Sequence, residues 1–104
     1  MVVIHDTSDK RLLYKSRHVA IGQLLKELRE ERQLKQIDIA QVAGLGQSDV
    51  SKVESGERSI RFVEVDLYAH ALGIDVGTLA KTMFETMWAN DNAHQQSFDT
   101  TPDE

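Results

Sequence analysis

The chain has 104 residues, of which 40% are apolar and 28% are charged, and it contains no cysteine. This length and composition are typical of one globular domain, and they argue against a multi-domain enzyme, a disordered chain or a disulfide-rich secreted protein. No apolar run approaches the roughly 18 residues that a membrane span needs. We therefore expect one cytoplasmic domain without a membrane segment or an export signal.

The net charge of −5 is unevenly distributed along the chain. Residues 17 to 61 carry eight basic and seven acidic side chains, whereas residues 62 to 104 carry eight acidic side chains and a single cation, Lys81. Because phosphate binding is mostly electrostatic, the total charge argues against a nucleic-acid partner. The uneven distribution of charge nevertheless indicates that the two halves of the chain have different roles.

Hydrophobic spacing predicts that the domain begins with three helices. The first covers residues 17 to 33, where apolar residues recur at offsets of 0, 3, 4 and 7 from Ile21, and Ser16 is placed to cap its start. Two short helices follow, at residues 36 to 43 and 47 to 55, separated by a turn that contains glycine.

Two further helices are predicted after residue 60. Residues 63 to 72 end at Gly73, and the last helix starts near Thr78, with Asp75 as its cap. The last helix has an apolar stripe that is wider than a small core requires, so we interpret it as a homodimer interface, with ordinary core packing as the competing interpretation. The predicted interface residues are Ala80, Met83, Phe84, Met87 and Trp88.

The two ends of the chain lack a helical pattern. Residues 1 to 15 are predicted to be an N-terminal extension, in which residues 2 to 4 form either a short strand or a contact with a neighbour and residues 6 to 10 form a loop. Residues 90 to 104 are polar and are predicted to be a disordered acidic tail. The domain is then expected to span residues 16 to 89 and to be all-α.

The pair of short helices carries the most informative pattern. The small side chain of Ala40 permits a close, steep helix crossing, which together with the glycine turn predicts a helix-turn-helix. The second short helix has only Val50 and Val53 as apolar positions, so most of its surface is polar. Its outward polar residues, which are able to reach base edges in a major groove, are Gln47, Ser48, Ser51 and Lys52.

This stretch resembles the Cro/C1-type (XRE-family) helix-turn-helix domains over about residues 19 to 80. It contains the pattern Lys35-Gln36-x-x-Ile39-Ala40-x-x-x-Gly44-x-Gly46-Gln47-x-x-Val50-Ser51-x-x-Glu54-x-Gly56. The resemblance implies a compact five-helix, lambda-repressor-like fold. It also implies a homodimer that binds double-stranded DNA in the major groove and regulates transcription, as a repressor in our interpretation.

The resemblance assigns roles to matching residues. A phosphate contact is implied for Gln36, base or phosphate contacts for Gln47, Ser48 and Lys52, and a backbone or minor-groove contact for the basic residues after the third helix. The complete predicted DNA-binding set is Lys35, Gln36, Gln47, Ser48, Ser51, Lys52, Arg58 and Arg61. Glu54 is interpreted as structural, and Arg29 is kept as a weaker DNA candidate.

Two positions depart from the family pattern. Lys35 and Gly46 stand where a Ser or Thr normally caps a helix, which predicts weaker helix starts. In addition, Asp49 and Glu57 place negative charge near the proposed surface.

No catalytic site, metal site or cofactor is expected. The four histidines are far apart in sequence, cysteine is absent, and no glycine-rich phosphate loop occurs. A different function remains open as the alternative, namely a protein-interaction module on the same scaffold. Its partner would be a toxin that the protein neutralises, or polymerase.

Overall fold

The computed structural model describes residues 7 to 96, with side chains described for residues 10 to 92. Its elements in chain order are α1 (Thr7–Glu31), α2 (Gln36–Ala43), α3 (Gln47–Ser55), α4 (Phe62–Leu72) and α5 (Val76–Gln96). The all-α fold of five helices is confirmed for these residues, and α2 and α3 have their predicted bounds. The predictions for residues 2 to 4 and for 97 to 104 lie outside the described residues.

Both long helices extend beyond their predicted ends. Helix α1 begins at Thr7, so residues 7 to 10 are helical, and the predictions of a loop there and of a cap at Ser16 are wrong. Helix α5 continues to Gln96, through the first part of the predicted tail. The predicted domain limits at residues 16 and 89 therefore fall inside helices.

Side-chain contacts join α1 and α5 near the points where the observed helices pass their predicted limits. The Asn90 amide donates a hydrogen bond to the Ser16 hydroxyl at 2.6 Å, and the Arg17 guanidinium donates to the Asp91 carboxylate at 2.8 Å. Helices α1 and α5 pack against each other. Tertiary packing therefore stabilises helical segments that are too polar to be predicted from hydrophobic spacing alone.

The core receives side chains from all five helices. Helix α1 packs on α3 and α5, α2 packs on α3 and α4, and α4 packs on α5. The buried residues that form the core are Ile21, Leu25, Ile39, Ala40, Val50, Val53, Tyr68, Ala69, Leu72, Leu79 and Met83. Met83, which we expected at a dimer interface, therefore belongs to the core of the single chain.

Helix α1 crosses the end of α3 at a distance that only glycine permits. A Cβ atom on Gly22 would collide with the Val53 carbonyl and would lie 2.7 Å from the carbonyl oxygen of Glu54. Gly56 ends α3 with a φ of +83°, and a Cβ there would lie 2.9 Å from the Cα of Val19. This crossing fixes the position of α3 relative to the core.

Helices α2, α3 and α4 begin in the same way, with an acidic residue of the first turn accepting a hydrogen bond from the N-cap backbone N–H. The pairs are Lys35 with Asp38 at 2.7 Å, Gly46 with Asp49 at 3.1 Å and Arg61 with Glu64 at 2.9 Å. The acidic half of a capping box thus supports helices that start without a Ser or Thr cap. Asp49 contributes to the start of α3 in this way.

Candidate DNA-binding surface

Helix α3 is buried on one side and exposed on the other. Val50 and Val53 are almost completely buried. The four residues of α3 that we predicted to read DNA are all exposed, and they are Gln47, Ser48, Ser51 and Lys52. Because positions four apart share one side of a helix, these residues form one continuous polar surface, which we call the α3 face.

The first residue of α2 lies beside the α3 face. The Gln36 side chain is partly buried, and its Nε2 donates a hydrogen bond to Glu54 Oε1 at 3.0 Å. Its other amide atom, Oε1, lies 3.5 Å from Gln47 Nε2, a long hydrogen bond. The structure therefore brings the two predicted glutamines of α2 and α3 together, and Lys35 is exposed next to them.

A buried ion pair lies beneath these glutamines. Arg29 of α1 donates to both carboxylate oxygens of Glu54, at 2.6 and 3.0 Å, and also to the Leu34 carbonyl at 2.8 Å. The hydrogen bond to Glu54 raises the pKa of Arg29. The structural interpretation of Glu54 is confirmed. Arg29, which we kept as a weak DNA candidate, is buried in this pair and is not presented to a ligand.

Arg58 is also paired with a carboxylate, and it is partly buried. Its guanidinium donates to both carboxylate oxygens of Glu64, at 2.9 and 2.6 Å, and to the Ser59 carbonyl at 3.1 Å. The hydrogen bond from Arg58 lowers the pKa of Glu64. Arg58 thus joins the segment after α3 to α4, whereas Arg61 at the start of α4 is exposed.

Two residues of α1 that the sequence did not single out border the α3 face. Gln23 and Lys26 line a polar groove between α1 and α3, together with Gln36 and Ser51. Lys26 lies four residues after Gly22, on the side of α1 that meets α3, so recognition of the Gly22 contact would have identified it.

The predicted interface on α5 is only partly exposed. Phe84 and Trp88 are 59% and 68% exposed, whereas Ala80 and Met87 are partly buried. A shallow pocket between α1 and α5 is lined by Phe84, Trp88, Arg17 and others. Two more exposed apolar side chains, Phe62 and Val63, lie at the start of α4.

Among residues 7 to 96, no helix is long and apolar enough to cross a membrane. The same part of the chain has no group of three or more histidine, aspartate or glutamate side chains placed to hold a metal ion.

Solved structures similar to this chain include two restriction-modification controller proteins and a gene regulator. The restriction-modification controller protein C.AhdI from Aeromonas hydrophila is 39% identical, and the match covers 59% of this chain and 92% of that one with a TM-score of 0.55. The controller C.Esp1396I, solved as a tetramer with its natural 35 base-pair operator, is 17% identical, with coverages of 69% and 95% and a TM-score of 0.61. The clp gene regulator ClgR from C. glutamicum is 20% identical, with coverages of 68% and 92% and a TM-score of 0.59.

The similarity to C.Esp1396I and ClgR, at 20% identity or less, shows a shared fold and nothing further. Comparison with curated protein sequences gives no match. The family model that describes a helix-turn-helix domain matches residues 20–81, which is more than half of the chain and includes α2, α3 and α4 completely. The chain therefore belongs to the helix-turn-helix domain family, as a regulator of the Cro/C1 (XRE) type.

Proposed function

We propose that this protein is a transcriptional repressor that binds double-stranded DNA as a homodimer, with α3 in the major groove, and that it is not an enzyme. The observation that carries the proposal is the α3 face, a polar surface on a helix whose opposite side is locked into the core. A rigid helix with exposed amide and hydroxyl groups is suited to reading base edges. Membership of the family and the likeness to the controller protein C.AhdI support the same role.

Exposed cations on α3 and at the starts of α2 and α4 support phosphate contacts. Lys35, Lys52 and Arg61 are exposed, and none of them takes part in an ion pair with a carboxylate among the described residues. Each is free to approach a phosphate without first losing a partner. Arg58 would have to leave Glu64 to do so, and we therefore assign the backbone contact after α3 to Arg61 rather than to Arg58.

A homodimer would supply the sequence selectivity that a single recognition helix lacks. A single recognition helix reads a few base pairs, and two of them placed about 34 Å apart read two half-sites on one side of the duplex. We assign the dimer contact to the exposed part of the predicted stripe on α5, centred on Phe84 and Trp88, with Ala80 and Met87 at its margin. Aromatic side chains are enriched where interfaces lose water.

A comparison of specific and random duplex tests the DNA-binding role. Gln47→Ala should weaken binding to a selected site by about 1 to 3 kcal/mol and leave binding to random duplex nearly unchanged. Arg61→Ala should weaken binding to both DNAs and reduce the slope of log K against log salt by about one. Absence of any salt-dependent DNA binding would contradict the proposal and would favour the protein-interaction alternative.

Sedimentation tests the dimer contact. Phe84→Glu combined with Trp88→Glu places charge in the proposed contact without touching the core, so it should give a folded monomer that has lost most of its affinity for the selected site. Phe62→Glu is the matched control, because Phe62 is an exposed phenylalanine on another helix, at 90% exposure against 59% for Phe84. A monomeric parent, or a dimer broken by Phe62→Glu alone, would contradict the assignment to α5.

A further inference from the structure

Helix α1 contains a long run of residues with basic side chains and no acidic ones. Residues 10 to 26 include five lysine and arginine residues and no aspartate or glutamate, although the whole chain has a net charge of −5. A helix surface that only contacts water usually mixes both signs, so that neighbouring side chains pair along the helix. Residues 27 to 31 have that mixed character, whereas residues 10 to 26 do not.

The helical repeat places three of these cations on the side of α1 that meets α3. Gly22 marks this side, because a Cβ atom there would collide with the Val53 carbonyl. At 3.6 residues per turn, Arg11 and Lys15 lie within about 20° of the direction of Gly22, and Lys26 lies within about 40° of it. We call Arg11, Lys15 and Lys26 the basic row.

The basic row starts beside the α3 face and continues past the end of α3. Lys26 lines the polar groove between α1 and α3. Helix α3 ends where Gly56 meets Val19 of α1. With a rise of 1.5 Å per residue, Lys15 and Arg11 lie about 10 Å and about 16 Å farther along α1 than the crossing with α3. Two cations of the row therefore extend the basic surface beyond the helix that carries the α3 face.

The three side chains of the basic row are available to an anionic partner. All of them are exposed, and none takes part in an ion pair with a carboxylate among the described residues. Arg17 belongs to the same run but pairs with Asp91 of α5. Cations spaced along one side of a helix match a ligand with regularly spaced negative charges, and a DNA strand supplies one phosphate about every 3.4 Å.

We propose that the basic row binds DNA phosphates outside the bases that α3 reads, through Arg11 and Lys15 in addition to Lys26. This inference rests on the proposed DNA-binding function. It adds to that function two residues that lie outside the part of the chain matched by the family model, residues 20–81. Because phosphate contacts carry no sequence information, the row strengthens binding to every duplex and leaves the base preference unchanged.

The salt dependence of DNA binding tests the proposal, because it counts phosphate contacts. Each neutralised phosphate contributes about 0.9 to the slope of log K against log salt. Arg11→Gln combined with Lys15→Gln should therefore reduce the slope by about two, on selected and on random duplex alike. Arg11→Lys combined with Lys15→Arg keeps both charges and should keep the parental slope. Both variants change exposed side chains, so their circular dichroism spectra should match that of the parent.

The matched control removes two positive charges elsewhere on the protein. Lys10 lies about 140° around α1 from Lys15, and Lys81 lies on α5; both are exposed. Lys10→Gln combined with Lys81→Gln should reduce the slope by less than half as much as the change in the basic row. An equal reduction would show that total charge, and not the basic row, determines the slope, and it would overturn the proposal.

Uncharged methylphosphonate groups locate the contact on the DNA. Replacing single phosphates outside the selected site should weaken binding of the parent several-fold at some steps, and the same replacements should leave the Arg11→Gln, Lys15→Gln variant unaffected. If the parent binds DNA and this variant keeps the parental slope, the inference is wrong and the proposed function stands. If the parent shows no salt-dependent DNA binding, the proposed function is wrong and the inference falls with it.

Discussion

Among the described residues, two arginines of helix α1 pair with a carboxylate of another helix, and the two pairs differ in their surroundings. Arg29 pairs with Glu54 of α3 at 2.6 Å, with side chains 11% and 5% exposed. Arg17 pairs with Asp91 of α5 at 2.8 Å, with side chains 36% and 19% exposed. A buried charge is stabilised mainly by its partner, whereas water screens the attraction between exposed charges. Breaking the Arg29–Glu54 pair should therefore cost much more free energy than breaking the Arg17–Asp91 pair, although the two distances are similar.

The same contrast holds for the regions around the two pairs. Around Arg29, the helices touch through glycine and alanine, and Arg29, Glu54 and Gln36 are joined by hydrogen bonds. Around Arg17, the exposed aromatic rings of Phe84 and Trp88 border a shallow pocket. We call the first region, around Arg29 and Glu54, the closed unit, and it carries the α3 face. The second region is an exposed apolar surface suited to contact with another chain.

The largest expected effect comes from removing the buried cation. Arg29→Met leaves the Glu54 carboxylate buried without its partner, which should lower the free energy of unfolding by about 3 to 5 kcal/mol. Urea denaturation monitored by circular dichroism measures this loss. Arg17→Met is the control and should cost less than half as much. Equal losses for the two variants would show that burial does not distinguish the two pairs.

The next largest effect on stability is expected at the close crossing of α1 and α3. Gly22→Ala places a methyl group against the carbonyls of Val53 and Glu54, which are backbone atoms and cannot move alone. We expect a loss of about 1 to 3 kcal/mol in the free energy of unfolding. Gly77→Ala is the control, because Gly77 is helical and exposed and meets only the Asp75 side chain. It should be neutral or stabilising by up to about 1 kcal/mol, and a Gly22→Ala variant as stable as Gly77→Ala would contradict the close crossing.

Local signals explain why α2 and α3 could be predicted from the sequence with their bounds. Gly44 and Gly56 end them with left-handed backbone, at φ of +70° and +83°, and their apolar positions recur at helical spacing. The α3 face could be predicted for the same reason, since exposure follows from helical periodicity once Val50 and Val53 are placed in the core.

Features that depend on contacts between distant residues could not be predicted. The N-terminal part of α1 and the end of α5 are mostly polar, and the contacts that join these helices there pair residues 16 and 17 with residues 90 and 91. Arg58 and Arg61 both follow α3 in the sequence, and no local pattern distinguishes them. The Arg58 guanidinium nevertheless binds Glu64, whereas the Arg61 side chain is exposed. The link from Glu54 to Gln36 spans 18 positions, and no sequence spacing indicates it.

A smaller effect, of opposite sign, is expected at Tyr68 in the closed unit. Its hydroxyl is buried and has no hydrogen-bond partner among the described residues, and burial together with Glu54 and Glu64 raises the pKa of this group. Tyr68→Phe removes an unsatisfied polar group and keeps the ring, so the free energy of unfolding should rise by up to about 1 kcal/mol. A clear loss of stability in urea would show that the hydroxyl has a partner in solution.

The smallest effect is the coupling between Arg17 and Asp91, and it also tests which surface is covered in the dimer. In the monomeric background of Phe84→Glu with Trp88→Glu, a double-mutant cycle of Arg17→Met and Asp91→Asn should give about 0.2 to 1 kcal/mol, because the pair is partly exposed. In the parent, a dimer over Phe84 and Trp88 would bury the same pair, so the coupling should rise with protein concentration. An equal coupling in both backgrounds would show that the second chain does not cover this end of α1, and the dimer contact would then have to lie elsewhere.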